Sequence, residues 1–558
     1  MSVVNDALPP DALPDERHLP NRVVRHALGY PERLNVCEAL LDANLRAGRA
    51  GRPVVHYSGK TRTYGVLANR VNRLANALSA NGLKPGDRIL IHLPNTPEFI
   101  ESWLASLRIG AVVVAPVPLL KRRELKYIVA ETEPSFVVTT AQMLHLFDGF
   151  PTDKLHRLTV GLPASYALGF ESFLELGSGE RAAVATTTED VALIAYTSGS
   201  TGHPKGTVHT HGDVLAIADS YAREVLSPNQ DDVFGSHAFL GFTYGLGASL
   251  VFPLRFGASV ALDSAGFDPE RCLDAISRMG ITRLFTTPTA CRLLLNSNAG
   301  TKRSVWRHVR SVVSAGQHLP KSTFEDWQEA TGLDILDGCG STEMLHIWIS
   351  QRSGEAEGGC TGRPVDLYEA RLLDANLREI RDREAEGSIA LRGPTGCRYW
   401  KQPKLQAETV LDGWTLSGDR FRRDGAGRYW HVGRTDDLIN SGGYKIAPAE
   451  VEDALCRHPA VLEACVVKTA DSVRGEIVAA FVRLRSPWTA NDQLRSNILA
   501  CVRREIAEYK CPQRLQFISE FPLTSTGKVQ RQAMKPPCFD QLQSEMSSSS
   551  QRSVTVRS

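Results

Sequence analysis

The sequence predicts an α/β protein: a large N-terminal domain of layered, mostly parallel sheets flanked by helices, then a small C-terminal α+β domain. Three observations carry this. Short apolar segments alternate with helical periodicities over some four hundred residues. Those segments are apolar along their length rather than at alternate positions, as suits parallel strands covered on both faces. The chain has 558 residues, and at roughly 150 per domain it should fold as more than one unit.

In chain order, the first 25 or so residues are rich in Pro and charge and are expected to wrap the surface. Leu67, Val71, Leu74 and Leu78 recur at helical spacing, and Asn81-Gly82 ends that helix. Pro85-Gly86 makes a turn, Arg88 to Leu93 a strand, and Thr96-Pro97-Glu98 a helix start with Thr at the cap. Val112 to Val117 is a second strand, and the same rhythm returns at Phe136–Thr139, Val191–Tyr196, Ser259–Leu262, Leu284–Thr286 and Val312–Ser314. After Asp436 comes a shorter unit with a helix from Pro448 and a strand around Ala464 to Val467. These shifts divide the chain into 1–435, 436–540 and a Ser-rich tail, 541–558, expected to be disordered.

Composition excludes several functions. Lys+Arg number 64 and Asp+Glu 62, so no global field holds nucleic acid or an anionic membrane, and any anion must be met locally. The longest apolar run, Ile109 to Leu120, contains Pro116 and Pro118 and falls short of the roughly 20 residues a membrane helix needs. The N-terminus carries acidic residues and prolines where a secretory signal needs a basic start and an apolar core. A cytoplasmic protein is expected. Its 11 cysteines form no CxxC pair and are expected reduced and mostly buried.

The most informative segment is Tyr196-Thr-Ser-Gly-Ser-Thr-Gly-His-Pro-Lys-Gly206, directly after an apolar strand. Glycines let backbone N–H groups approach an anion, the hydroxyls of Thr197, Ser198, Ser200 and Thr201 add donors, and Lys205 adds charge. No Walker frame fits it. The bland alternative is a solvated turn, a poor account of eleven such residues pinned behind a buried strand.

This loop resembles the phosphate loop of the acyl-adenylate-forming enzymes, which include acyl-CoA synthetases, peptide-synthetase adenylation domains and beetle luciferases. Five further motifs stand in that family's order: Gly340-Ser-Thr-Glu343, Ser417-Gly-Asp419, Gly433-Arg-Thr-Asp-Asp437, Ser441-Gly-Gly-Tyr-Lys445 and Pro522-Leu-Thr-Ser-Thr-Gly-Lys528. The resemblance covers about residues 30 to 535. It implies that Thr197, Ser198, Gly199, Ser200, Thr201, Gly202 and Lys205 cradle the phosphates of ATP. Thr342 would touch the α-phosphate, and Glu343, with Thr201, would hold Mg²⁺, a hard cation bridging phosphate oxygens. Asp419 would bind the ribose hydroxyls beside Arg434, with Gly316, Gly338 and Cys339 also lining the nucleotide. Many relatives place an aromatic residue at the last of these positions; Cys339 offers no stacking face but leaves the hydrogen-bonding ligands untouched. Lys528 resembles the catalytic lysine of the small domain, Asp436 the hinge on which that domain moves, and Gly442 and Gly443 the passage for CoA pantetheine. In isolation Glu343 would be a surface carboxylate, Asp419 a turn residue and Lys528 a solvated lysine.

Phe242-Thr-Tyr-Gly-Leu-Gly247 and Glu343-Met-Leu-His-Ile-Trp348 resemble the benzoate- and 2-aminobenzoate-CoA ligase branch, as do Pro118–Leu125 and Gly393–Arg398. The resemblance puts Phe242, Thr243, Tyr244 and His346 at the acyl pocket, although one buried Tyr and one satisfied His are common in any core. A Tyr ring with Trp348 would make a short, flat slot suited to a planar aromatic carboxylate. The implied substrates are that acid, ATP and coenzyme A, with Mg²⁺, no nucleic acid and no membrane, in a monomer or homodimer. Alternatives are loading of a separate carrier protein, CoA ligation of a non-aromatic acid, luciferase-like oxygenation, or a nucleotide-binding regulator without catalysis. Intact Lys528, Glu343 and Asp419 speak against the last.

Overall fold

The apolar face of Leu67, Val71, Leu74 and Leu78 closes into the helix Tyr64–Ala80, capped by the Thr63 hydroxyl accepting from the Val66 N–H. The computed structural model describes residues 15–150, 155–162, 169–197, 204–297, 299–441, 444–471, 474–523 and 529–534. Pro97–Ile109 packs on the first helix and ends in left-handed Gly110. It is buried on nearly every face, as a helix must be when it forms the layer between two sheets.

Those sheets make the large body. The first has six strands: His156–Val160, Phe136–Thr140, Arg88–His92, Val112–Val114, Val191–Thr197 and Lys205–Thr210, all parallel except the last pair. The expected strand over Val112 to Val117 stops at Val114, since Pro116 has no N–H for the ladder. The second sheet has nine strands. Its centre, Ile335–Gly340, Ser311–Ala315, Arg283–Thr286, Val233–Ser236, Ser259–Leu262 and Pro53–Tyr57, is parallel throughout. One continuous core joins both sheets through Phe99, Trp103, Leu193, Phe234 and Phe285.

A third sheet departs from the expected parallel pattern. Glu369–Leu373, Ala385–Arg392, Trp414–Arg423, Val410–Leu411 and Tyr429–Arg434 pair antiparallel throughout. Residues 15–28 strap across it: the Asn21 N–H donates to Gly413 O, and His18 Nδ1 lies 2.8 Å from Val410 O. That agrees with the surface-wrapping expectation for the described part of the N-terminus.

The small domain has its own five-stranded sheet, with Gly475–Leu484 between Val461–Asp471 and Ile439–Ser441, and its own core around Val451, Leu455, Val478 and Ile498. The helix from Pro448 runs Pro448–Cys456. The Ser-rich tail lies outside the described residues. Ten described cysteines are free, and among the described residues no helix is long and apolar enough to cross a membrane.

Candidate functional site

Thr197, Ala315 and Gly340 end strands with parallel partners in the two large sheets, where open α/β sheets leave a crevice for ligands, while Asp419 and Arg434 stand on the antiparallel third sheet. Val191–Thr197 and Lys205–Thr210 pair antiparallel, with Thr197 opposite Lys205 at the mouth of the hairpin. Ser198, Gly199, Ser200, Thr201 and Gly202 lie outside the described residues. Gly316, at φ 89°, directly follows Ser311–Ala315, and Ala315 pairs with Gly338 of Ile335–Gly340. A Cβ on Gly340 would stand 2.7 Å from the His346 carbonyl oxygen, so only glycine lets the chain turn back here. The register shifts between Cys339 and Gly340 at this point.

The turn that follows carries two predicted site residues and a strained one. Thr342 is buried, and its carbonyl accepts from the Leu345 N–H at 3.0 Å. Leu345 has φ 68°, a left-handed conformation that is uncommon outside glycine and tends to be held where function needs it. Glu343 Oε1 accepts from the Tyr399 hydroxyl at 2.8 Å. Tyr399 is brought there by a bridge to Thr207, so the strand carrying Lys205 also supports the Glu343 carboxylate. Burial and the nearby Glu343 charge push the Tyr399 phenol up, keeping it a donor. Among the described residues no group of three or more His, Cys, Asp or Glu forms a metal cage. The Glu343 carboxylate is a hard oxygen donor that fits Mg²⁺, provided substrate phosphates and water complete the shell.

Asp419 pairs with Arg434 across adjacent strands. Its Oδ1 stands 3.5 Å from His431 Nε2 and 3.8 Å from Arg434 Nη1. Burial would raise the Asp419 carboxyl, but His431 and Arg434 outweigh it and hold the group below its usual range. Gly418 has φ 79°, the left-handed conformation that favours glycine, and a Cβ there would push on the mobile guanidinium of Arg434, 2.8 Å away at Nη2. His431 is a neighbour that sequence reasoning missed; its place in a strand facing Asp419 was the available signal.

Tyr244 and His346, far apart in sequence, meet as a near-stacked pair with centroids 5.6 Å apart and planes at 27°. The Tyr244 hydroxyl lies 3.0 Å from Thr286 O and 3.2 Å from Val313 O, so the residue presents its ring, not its hydroxyl. His346 is also walled by Tyr221, Phe252 and Phe285. Neither of its ring nitrogens makes a well-formed hydrogen bond among the described residues, although the Tyr244 backbone is close enough to favour its charged form. Burial, partly offset by the Tyr244 backbone, lowers its pKa to about 3. The expected Trp348 wall is corrected: that ring packs edge-on against Phe421 of the third sheet. Phe285, Phe252 and Tyr221 take its place. Phe242 and Thr243 line a small cavity with Trp103, Val113 and Leu193 at the seam with the first sheet.

Asp436 lies between the third sheet and Ile439–Ser441. Its carboxylate is 3.4 Å from Arg434 Nε, and its carbonyl accepts from Lys468 Nζ at 3.0 Å. Gly442, Gly443 and Lys528 lie outside the described residues. Their flanks are fixed: Ser441 pairs with Tyr444, and Leu523 bridges Val529.

Known proteins share this architecture. The model of the AMP-binding enzyme family matches residues 42–400, and that of the AMP-binding enzyme C-terminal domain matches 450–528. A benzoate–CoA ligase of Thauera aromatica is 36% identical over 511 residues, covering 90% of this chain and 96% of its own. An anthranilate–CoA ligase of Pseudomonas aeruginosa is 33% identical over 496 residues, covering 86% and 93%. The crystal structure of an anthranilate CoA ligase in complex with anthranoyl-AMP superposes with a TM-score of 0.87 at 31% identity, over 91% of this chain and 98% of that one. With its ordered motifs, two-domain build and a family match over most of its length, the chain belongs to the AMP-binding enzymes.

Proposed function

We propose that the protein is an ATP-dependent aryl-CoA ligase. A carboxylate oxygen attacks the α-phosphorus of ATP and expels pyrophosphate; the CoA sulfur then attacks the acyl carbon and expels AMP, its proton passing to solvent. Both reactants of the first step are anions, so charge neutralisation governs it. Lys205 and the hydroxyls of the phosphate loop receive the β- and γ-phosphates, Thr342 the α-phosphate, and Lys528 the charge that develops during adenylation. Asp419 orients the ribose. Mg²⁺, when bound beside Glu343, screens phosphate charge. Asp436 serves as the hinge, and Gly442 and Gly443 leave room for pantetheine.

The observation that carries the aryl reading is the turn joining Thr342 to His346. One short loop sets the phosphate end and the ring end of the site, which leaves space for a carboxyl attached directly to a flat ring. Among aromatic acids, the His346 ring, which makes no well-formed hydrogen bond, favours 2-aminobenzoate. A neutral imidazole buried without a well-formed hydrogen bond costs about 1–3 kcal/mol, relieved when a ring amino group pairs with it. Benzoate is the second reading, favoured by the 36% identity to a benzoate–CoA ligase.

The test is kcat/KM for 2-aminobenzoate, benzoate, acetate and octanoate with ATP, Mg²⁺ and CoA, the thioesters identified by mass. Burial of the ring should favour both aromatic acids over acetate by about 10² or more. His346→Phe should erase the preference for 2-aminobenzoate over benzoate. A wild-type preference for octanoate defeats the aryl reading and leaves adenylation standing.

A further inference from the structure

His209 belongs to no expected ligand set, yet it sits between two phosphate-binding segments. It lies on Lys205–Thr210, at the same parity as Lys205. The ring is fully buried, and its Nε2 lies 2.8 Å from the carbonyl oxygen of Thr342. A carbonyl only accepts, so Nε2 carries the proton and donates. The same carbonyl receives the Leu345 N–H, so His209 adds a second donor to the turn that holds Leu345 at positive φ. The bond crosses from the first sheet to the second, tying the strand of the phosphate hairpin to the Thr342–Glu343 loop.

Behind the ring stands a fixed anion. Asp213 Oδ2 is 3.8 Å from His209 Nδ1 and accepts from the Thr210 N–H at 2.9 Å. Asp213 is wholly buried, with Arg22 3.2 Å from Oδ2 and Arg25 bonded to Oδ1. Burial would raise its carboxyl, but the two arginines hold it well below the usual range. The Asp213 charge is therefore permanent, and it pins the N–H of Thr210, the residue next to His209.

We propose that His209 is a positioning residue for adenylation: it holds Thr342 in register with Lys205 so that both reach one triphosphate. This rests on the adenylation reading above and is independent of which acid is used. Nothing places His209 at the reacting atoms, and its effect passes through the Thr342 backbone.

The test compares His209→Phe, which fills the space without a donor, with His209→Gln, whose amide N–H can reach where Nε2 stood. Acid-dependent exchange of pyrophosphate into ATP is measured over a range of ATP concentrations, beside the thermal midpoint. Displacement of a positioned group by about 1 Å can cost about 10² in rate. His209→Phe should therefore lower exchange kcat between about tenfold and 10², with a smaller change in KM for ATP, and His209→Gln should recover most of it. If kcat per folded molecule survives in His209→Phe, or Gln fails as badly as Phe while both fold, His209 is ordinary core and the proposal falls. If the wild type shows no acid-dependent exchange, the adenylation reading fails first and takes this proposal with it.

Discussion

At the scale of single residues, the site depends on glycines whose absent side chains make room for a ring or a backbone turn. A Cβ on Gly247 would stand 2.5 Å from His346 Cδ2, 2.6 Å from Nε2 and 3.0 Å from Phe252 Cζ. The imidazole cannot retreat, because Tyr221, Tyr244 and Phe252 surround it. Gly247→Ala should destabilise the protein by about 1–3 kcal/mol, the usual cost of overpacking. It should also raise KM for the aromatic acid while leaving KM for ATP near its wild-type value. Differential scanning fluorimetry and steady-state kinetics check the two halves; an equal rise in both KM values would count against a pocket role for His346. Residues within contiguous motifs, such as Lys205, Thr342 and Asp419, can be named as candidates from the sequence because their neighbours mark them. Partners supplied across the fold cannot. His209 meets Thr342, and Tyr399 meets Glu343, only after distant segments pack, and no local pattern in either segment announces the pairing. Trp348 was misplaced for a related reason: sequence shows its nearness to His346 along the chain but not which sheet its strand faces.

At the scale of elements, the parallel core was legible from its uniformly apolar strands. The third sheet was not: Trp414–Arg423 (WTLSGDRFRR) mixes charge and apolar side chains because much of it is only half-covered, so it lacks the signature of a buried strand. In the small domain, Arg531 holds the segment just after Lys528 by its side chain, beside the apolar packing of Val529 and Met534. Arg531 donates to both oxygens of Glu452, at 2.5 and 2.9 Å, and to Val466 O at 2.7 Å. Glu452 is buried and also accepts from the Val466 N–H. Removing the guanidinium strands a buried carboxylate, which typically costs about 3–5 kcal/mol. Arg531→Met should therefore lower the midpoint of small-domain unfolding strongly. Adding Glu452→Met should restore part of the loss, with a coupling of about 1–3 kcal/mol in the double-mutant cycle. Strictly additive losses would show that the two side chains act separately.

At the scale of the whole molecule, polar side chains join the small domain to the large one among the described residues. Arg292 Nη2 lies 3.0 Å from Glu463 Oε1, the Thr289 hydroxyl is 2.8 Å from the same oxygen, and Arg485 Nη1 donates to Asn296 Oδ1 at 3.0 Å. The pH-sensitive member is His318, whose Nε2 is 3.0 Å from both oxygens of Asp453. Burial would lower the His318 pKa, but Asp453 overrides it and raises the group to about 9. Asp337 and Glu452 add negative charge around the ring, and His431 lies alongside it. A histidine released from Asp453 returns toward its ordinary value of about 6.5, so docking takes up a proton between these two limits. The docked arrangement is thus favoured fully below about pH 6.5 and loses that contribution as pH rises through about 9. Asp337, raised to about 7 by burial against the opposing charge of His318, lies on the large domain with His318, so Asp453 is the partner whose contact is lost on undocking. Limited proteolysis in the connection around Asp436 should quicken from pH 7 to pH 9 in the wild type. His318→Gln, still able to donate but unable to charge, should cut faster at pH 7 and show little further change to pH 9. An unchanged pH profile in that variant would place the titrating group elsewhere in the interface.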